Sequence, residues 1–289
     1  MTIAQLKSFH AVALEGSIQK AAARLHITQP AVSIQIKALE QGRQISLFRR
    51  NGHVFRLTSS GQALFEATGR LFRAQRDAND ILTSASGEMS GTLVLGADGP
   101  HVALELVARF RTQNPNVRIE MILANAETTW ENLLSLRIDA AIMAGSPDDP
   151  RIETCGICKQ NMVALLRNDH DLAGEREVSM ETLAGCKLIF REGGSSTQQK
   201  INSAWQALGL HVQANLEIGS REGVIEAVKR GMGIGFVYEN EVPSDNRLSH
   251  VPITDMKAAN TDQLVCMKAQ LTNNFIKSLF RIVRSNEPK

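Results

Sequence analysis

No apolar run in this 289-residue chain approaches the roughly 18 residues needed to span a bilayer, so a membrane protein is not expected. The opening stretch MTIAQLKSFHAVALEGS lacks the basic start and apolar centre of a secretion signal and reads as an amphipathic helix, which points to the cytoplasm. The chain has only four cysteines. Without a signal segment they form no disulfide framework, and reduced thiols are expected. Ser, His and Asp are all present, but there is no GxSxG elbow, HExxH, GxxxxGK[ST] or Gly-rich dinucleotide fingerprint. Gly231-Met232-Gly233-Ile234-Gly235 follows a helix and precedes a strand, the reverse of dinucleotide order, and reads as a turn before a buried strand. No catalytic residue, cofactor or metal is expected, and the chain is not read as an enzyme. Cys155-Gly156-Ile157-Cys158 is a CxxC, but it lies in an extended stretch rather than opening a helix. Cys186 and Cys266 are single, without zinc-ligand spacing. Incidental or packed thiols are the plainer account; a thiol-based redox sensor and a cytosolic solute-binding protein are the alternative functions.

What is present is charge in the wrong place for a uniform surface. The net charge of the whole chain is +2. Residues 1–58 carry eight basic residues against Glu15 and Glu40, or +6, which leaves −4 for the rest. A basic N-terminal segment is what phosphate binding requires. The length suggests two or more compact units.

Within that segment, residues 16–50 read as two short helices joined by a tight turn. Thr2 and Gln5 have capping-box spacing ahead of a first helix that stops at Gly16. Ser17 caps the second helix, and Ala21, Ala22 and Leu25 give it a small apolar stripe. After a turn at His26 and Ile27, Thr28 caps a third helix, in whose first turn Pro30 is tolerated. Val32, Ile36 and Leu39 share the core side. Pro30, Ser33, Ile34, Lys37 and Gln41 lie opposite, a polar edge around one exposed Ile that suits a major groove: Ser, Gln and Lys meet base edges and phosphates, and Ile a thymine methyl. An ordinary helical hairpin is the alternative. Residues 47–57 read as a winged hairpin turning at Asn51-Gly52, with Arg49, Arg50, His53 and Arg56 around it for phosphate or minor-groove contact.

Gly16-Ser17, Ala21-Ala22, Leu25, Gln29-Pro30-Ala31-Val32-Ser33, Ile36, Leu39-Glu40, Leu47-Phe48, Arg50, Leu57-Thr58 and Gly61 together resemble the DNA-binding segment of LysR-type transcriptional regulators. One departure is Arg43-Gln44 after Gly42, where the family usually has a Leu-Gly pair; the end of the recognition helix is expected to be shortened or re-aimed. The resemblance implies an N-terminal all-α winged helix-turn-helix domain over 1–58, with Thr28, Gln29, Pro30, Ser33, Ile34, Lys37, Arg49, Arg50, His53 and Arg56 meeting duplex DNA. A linker and dimerisation helix follows over 59–90, where Leu64, Leu71, Ala78 and Ala85 recur every seven residues with polar Thr68 and Gln75 between them. Such a stripe needs a cover, either its own domain or a second copy. The resemblance favours a dimer or dimer of dimers, and RNA polymerase is among the partners such a regulator could meet.

From Gly91 the texture is α/β. Strands are expected over 92–97, 117–124, 139–144, 160–167, 187–190, 213–218, 234–238 and 263–268, with helices at 101–113, 127–136 and 272–284. The resemblance implies a two-lobed, periplasmic-binding-protein-like effector domain over 91–289. Lobe I would span about 91–161 and 267–289 and lobe II about 162–266, with crossings near Asn161 and Cys266. Ligands in open α/β sheets gather at strand C-termini and helix N-termini, which singles out Asp98, Gly99 and His101, Thr128 and Thr129, Ser146, and Ser195, Ser196 and Thr197. Hydroxyls and amides there suit a small anionic effector. Asp98 adds either a partner for an amine, hence a zwitterion, or merely a partner for a nearby Arg or a helix cap.

Overall fold

The computed structural model describes residues 1–41, 45–51, 54–83, 89–256 and 260–285. It divides into two compact units, Met1–Glu88 with Leu134–Arg137, and Met89–Leu133 with Ile138–Lys289.

In the first unit, α1 (Ile3–Glu15) opens on a capping box in which the Thr2 hydroxyl accepts the Gln5 amide and the Gln5 side chain accepts the Thr2 amide. It ends at Gly16, whose φ of 61° is left-handed backbone that glycine adopts without strain. Ser17 caps α2 (Ile18–Leu25), and the small Ala21 and Ala22 are buried against the neighbouring helices. His26, also left-handed, makes the turn into α3 (Gln29–Gln41), where the Thr28 hydroxyl accepts the Ala31 amide. Val32, Ile36 and Leu39 join Leu6, Phe9, Val12, Phe48 and Phe65 in one core.

The wing is an antiparallel hairpin of β1 (Phe48–Asn51) and β2 (Val54–Leu57). Its fastenings account for several residues of the family pattern. Glu40 Oε1 accepts the Leu47 amide, the Phe55 amide donates to the Gly16 carbonyl, and Thr58 Oγ1 donates to the Ser46 carbonyl while capping the next helix at Gly61 N. A Cβ on Gly61 would lie 2.0 Å from the Leu47 carbonyl oxygen, so only glycine fits. The long helix α4 (Ser59–Thr83) packs its first half on α1: Phe65 stacks on His10 and Phe72 meets that ring edge-on. Thr68 is buried, and its hydroxyl donates to the Phe65 carbonyl and bonds His10 Nδ1 at 2.8 Å.

The second unit has two lobes. Lobe I is built from β3 (Gly91–Ala97), α5 (Pro100–Gln113), β4 (Val117–Leu123), α6 (Ala126–Leu134), β5 (Ala140–Met143) and β6 (Ile152–Gln160). Asn161 alone then separates β6 from β7 (Met162–Arg167), the first strand of lobe II. That lobe continues with α7 (Met180–Ala184), β8 (Ile189–Arg191), α8 (Ser196–Ala207), β9 (Leu216–Ile218), α9 (Arg221–Lys229), β10 (Gly235–Tyr238) and β11 (Leu248–Pro252). The chain returns to lobe I with β12 (Asn260–Met267) and α10 (Asn274–Arg284). The lobe I sheet runs β4-β3-β5-β12-β6, with β3 parallel to β4 and β5, and β12 antiparallel to β5 and β6. Lobe II pairs β10-β7-β11 antiparallel and β8-β9 in parallel, linked by a Leu188↔Ile234 bridge. Each lobe has its own core: α5 and α10 supply Leu106, Phe110, Ile276 and Leu279 to the first, while Trp205 anchors the second between Phe190 and Phe236.

Two expectations need correction. The second crossing does not fall near Cys266, because β12 pairs with β6 along its whole length from Asn260, so residues 260–266 belong to lobe I. Its polar opening Asn260-Thr261-Asp262-Gln263 resembles a loop in sequence, yet Asn260 and Asp262 are buried strand residues. The extended stretch before Met162 is likewise a full strand, β6, and β11 is an additional one.

Candidate functional site

On α3 the side away from the core is open. Thr28, Gln29, Pro30 and Lys37 are exposed and Ser33 is half-buried, while Ile34 keeps 67% of its surface accessible. Among the described residues only Met1 is a more exposed large hydrophobic side chain than Ile34. In the wing, Arg49 and Arg56 are directly opposed across the two strands, and both are exposed. Two like charges in register repel; a phosphate between them would remove that cost. Arg50 belongs to β1, but its side chain, like Gly52, His53 and the Gly42-Arg43-Gln44 departure, lies outside the described residues.

The inter-lobe cleft contains two adjoining cavities. The first is a small chamber of about 20 Å³ between the end of β3 and lobe II. Asp98, Gly99, His101 and Ser196 line it, joined by Gln160, Arg221, Tyr238, Glu241 and Asp262, which the sequence alone does not single out. The second, of about 800 Å³, is bordered by Trp130, Met143, Ser146, Lys200, Met256 and Asn260. Ala144 and Ser196 line both.

Asp98 accepts the Ala144 amide at 2.9 Å on a carboxylate oxygen, and its carbonyl accepts from Arg221 across the cleft at 3.2 Å. Arg221 also pairs with Glu241 at 2.8 Å, both largely buried. Lys200 donates to the Ala144 carbonyl, the Tyr238 hydroxyl and Asn260 Oδ1. Asp262 accepts from Gln160 Nε2 and from the Cys158 thiol. Burial pushes the Asp98 carboxyl above its ordinary range, against the pull of the Ala144 amide and Arg221. Burial, reinforced by Asp98 and Glu241, pushes Asp262 up to about 7. The Lys200 ammonium is lowered, mainly by burial.

The remaining predicted residues serve the frame. Thr129 is buried and donates to the Ala124 carbonyl, and Thr128 is exposed with its amide bonded to Asn125. Ser195 caps α8 at Gln198 N, and Thr197 is buried without lining either cavity. The glycine before them packs the lobes together: a Cβ on Gly194 would come within 2.6 Å of Asn125 Nδ2, and its carbonyl accepts the Glu127 amide. Ser146 borders the larger cavity and donates to Gln263 Oε1.

The CxxC lies in β6, paired along its length with β12 rather than opening a helix. Burial and Asp262 push the Cys158 thiol up to about 11, and burial drives Cys266 up to about 12. Those thiols are protonated and poorly nucleophilic, which weighs against redox sensing. Among the described residues no cluster of metal-ligating side chains occurs, and no helix is long and apolar enough to cross a membrane.

A winged helix-turn-helix followed by a long helix and a two-lobed α/β ligand-binding domain defines a one-chain transcriptional regulator. Residues 3–62 match the model of the bacterial regulatory helix-turn-helix proteins of the lysR family, and residues 86–287 match the LysR substrate binding domain. The chain belongs to the LysR family of DNA-binding transcriptional regulators and is not an enzyme. It is 30% identical over 239 residues to the RuBisCO operon transcriptional regulator of Allochromatium vinosum, covering 82% of this chain and 79% of the relative. In fold it is similar to CbnR, a LysR family regulator, with a TM-score of 0.71 at 20% identity over the full length of both chains. CbnR has also been solved in complex with its target DNA, and that structure superposes with a TM-score of 0.69 at 20% identity, covering 99% of this chain and 100% of the other.

Proposed function

We propose that α3 docks in the major groove with Gln29, Ser33, Ile34 and Lys37 at base edges and phosphates, and that Arg49, Arg50, His53 and Arg56 of the wing hold the flanking backbone. The exposed Ile34 amid a polar edge carries this reading, and the opposed Arg49 and Arg56 support it. Two or four copies joined through α4 present paired recognition helices. A small effector entering the inter-lobe cleft alters the spacing of those helices by preferring one lobe arrangement over another. That CbnR, of similar fold, has been solved in complex with its target DNA supports this reading.

Quantitative mobility shifts of the full chain test the proposal. DNA affinity should fall steeply with salt, and Lys37→Ala or Arg49→Ala should weaken binding to preferred and random duplexes alike, each flattening the log–log salt slope by about 1. Affinity that ignores salt, or variants that bind as the parent does, would remove this face from the interface.

A further inference from the structure

Resting on the reading of the cleft as an effector site, we propose that its small chamber holds a primary ammonium group, so that the effector is an amine or amino acid whose cationic end is bound by Asp98, Asp262 and Gln160. The chamber's size is the first ground. About 20 Å³ is room for one water-sized group, and an ammonium head is of that size, whereas a phosphate or sulfate is not.

Hydrogen bonding is the second. An ammonium has three donors and no acceptor, and the chamber offers acceptors in want of donors. Gln160 is only 8% exposed and its amide nitrogen is committed to Asp262, yet its Oε1 has no partner. A buried acceptor left unpaired is costly, and such an atom in a native cleft calls for a donor from outside. The carboxylates of Asp98 and Asp262 line the same space.

Charge is the third. Among the described residues, Asp98, Glu241 and Asp262 face Arg221 and Lys200, with His101 also lining the chamber, and Arg221 and Lys200 are already engaged. Arg221 is tied to Glu241 and to the Asp98 carbonyl, while the donors of Lys200 are spent on Ala144, Tyr238 and Asn260. With Asp98 and Asp262 ionised, three carboxylates stand against these two cations, and a bound ammonium would offset that excess and favour the ionised forms. The body of the ligand then extends past Ala144 and Ser196, the residues common to both cavities, into the larger one beside Trp130, Met143 and Met256. There Asn260 Nδ2, a buried donor without a partner, meets an acceptor on the ligand.

Thermal shifts of the full chain against matched sets test this: leucine with isoamylamine and isocaproate, and phenylalanine with phenethylamine and hydrocinnamate. In each set one compound has both groups, one only the amine and one only the carboxylate. The amine-bearing members of at least one set should raise the melting temperature at millimolar concentration, while isocaproate and hydrocinnamate should not. A response to the amino acid without one to the amine would still support the ammonium and would add a carboxylate subsite near Asn260. Asp98→Asn and Asp262→Asn, which preserve shape, should each weaken the response tenfold or more. Stabilisation by the amine-free acids, an amine response unchanged in both variants, or silence from every set overturns the ammonium site, since acceptors already in place would register a primary amine whatever its body. If isocaproate or hydrocinnamate stabilises the chain and Trp130→Ala abolishes the effect, the cleft remains the effector site and only the ammonium falls. A ligand whose effect survives Trp130→Ala lies outside the cleft and removes both.

Discussion

Two isoleucines two positions apart on α3 have opposite roles. Ile36 is 6% exposed within the helix-turn-helix core, whereas Ile34 is 67% exposed. Truncating Ile36 leaves a cavity and should cost about 2–5 kcal/mol of stability. Truncating Ile34 removes mostly exposed surface, so Ile34→Ala should leave thermal unfolding within about 0.5 kcal/mol of the parent. The same change should lose roughly 1–3 kcal/mol of affinity on the preferred duplex, where a thymine methyl is left without its apolar partner, and little on random DNA. Parallel unfolding and binding curves separate the two. An equal loss on both duplexes, or a large drop in stability, would make Ile34 a packing residue after all.

The linker helix shows how an element can be legible in outline and misread in detail. The seven-residue recurrence from Leu64 lies on α4 as far as Ala78, with Ala85 outside the described residues, but Thr68, a polar position in the seam, is buried on α1 with its hydroxyl satisfied by His10 and the Phe65 carbonyl. The first half of α4 is thus covered by its own domain. The side bearing Leu71, Gln75 and Ala78 is exposed, and this stretch is the one proposed to meet a second copy. Leu71→Glu should therefore weaken self-association in sedimentation experiments without lowering the melting temperature; an unchanged oligomer would move the contact off this side. Caps were readable for the opposite reason, since Thr2 with Gln5, Ser17 and Thr28 act within three residues of themselves. β11 was missed because its residues, Leu248–Pro252, include polar and proline positions that an edge strand tolerates. In the cleft, Asp98 and Ser196 were found because they sit at a strand end and a helix start. Gln160, Arg221, Glu241 and Asp262 were not, since each comes from a different element and only the folding of the two lobes gathers them. The polar opening of β12 was the available signal: strand residues that are polar yet buried face a site.

Across the whole molecule the charge excess of the N-terminal segment is balanced by an acidic remainder, and part of that acidity is stored in the cleft, where it makes stability depend on pH. Asp262 faces Asp98 at the end of β3, Glu241 after β10, Lys200 of α8 and Cys158 of β6, with Arg221 and Tyr238 lining the same chamber. Burial, then the two acids, raise its carboxyl to about 7. In the unfolded chain the group loses its proton near pH 4, while the folded protein retains it to about 7, so between these limits the folded state binds more protons. Stability of the effector domain should therefore be greatest at the acid end of this window, fall by about 1.4 kcal/mol per pH unit for this group as pH rises through it, and level off above. Asp98, raised in the same direction, adds to the fall. Both tryptophans of the chain, Trp130 and Trp205, lie in this domain, so tryptophan fluorescence during thermal unfolding reports on it without signal from the helix-turn-helix. Asp262→Asn should flatten the profile and raise the melting temperature most at the alkaline end. A bound ammonium offsets the carboxylate excess and should flatten it likewise in the parent protein. A parent profile already flat between about pH 5 and pH 7 would mean that Asp262 is ionised throughout that window, and the cleft would then carry its full negative charge even at acidic pH.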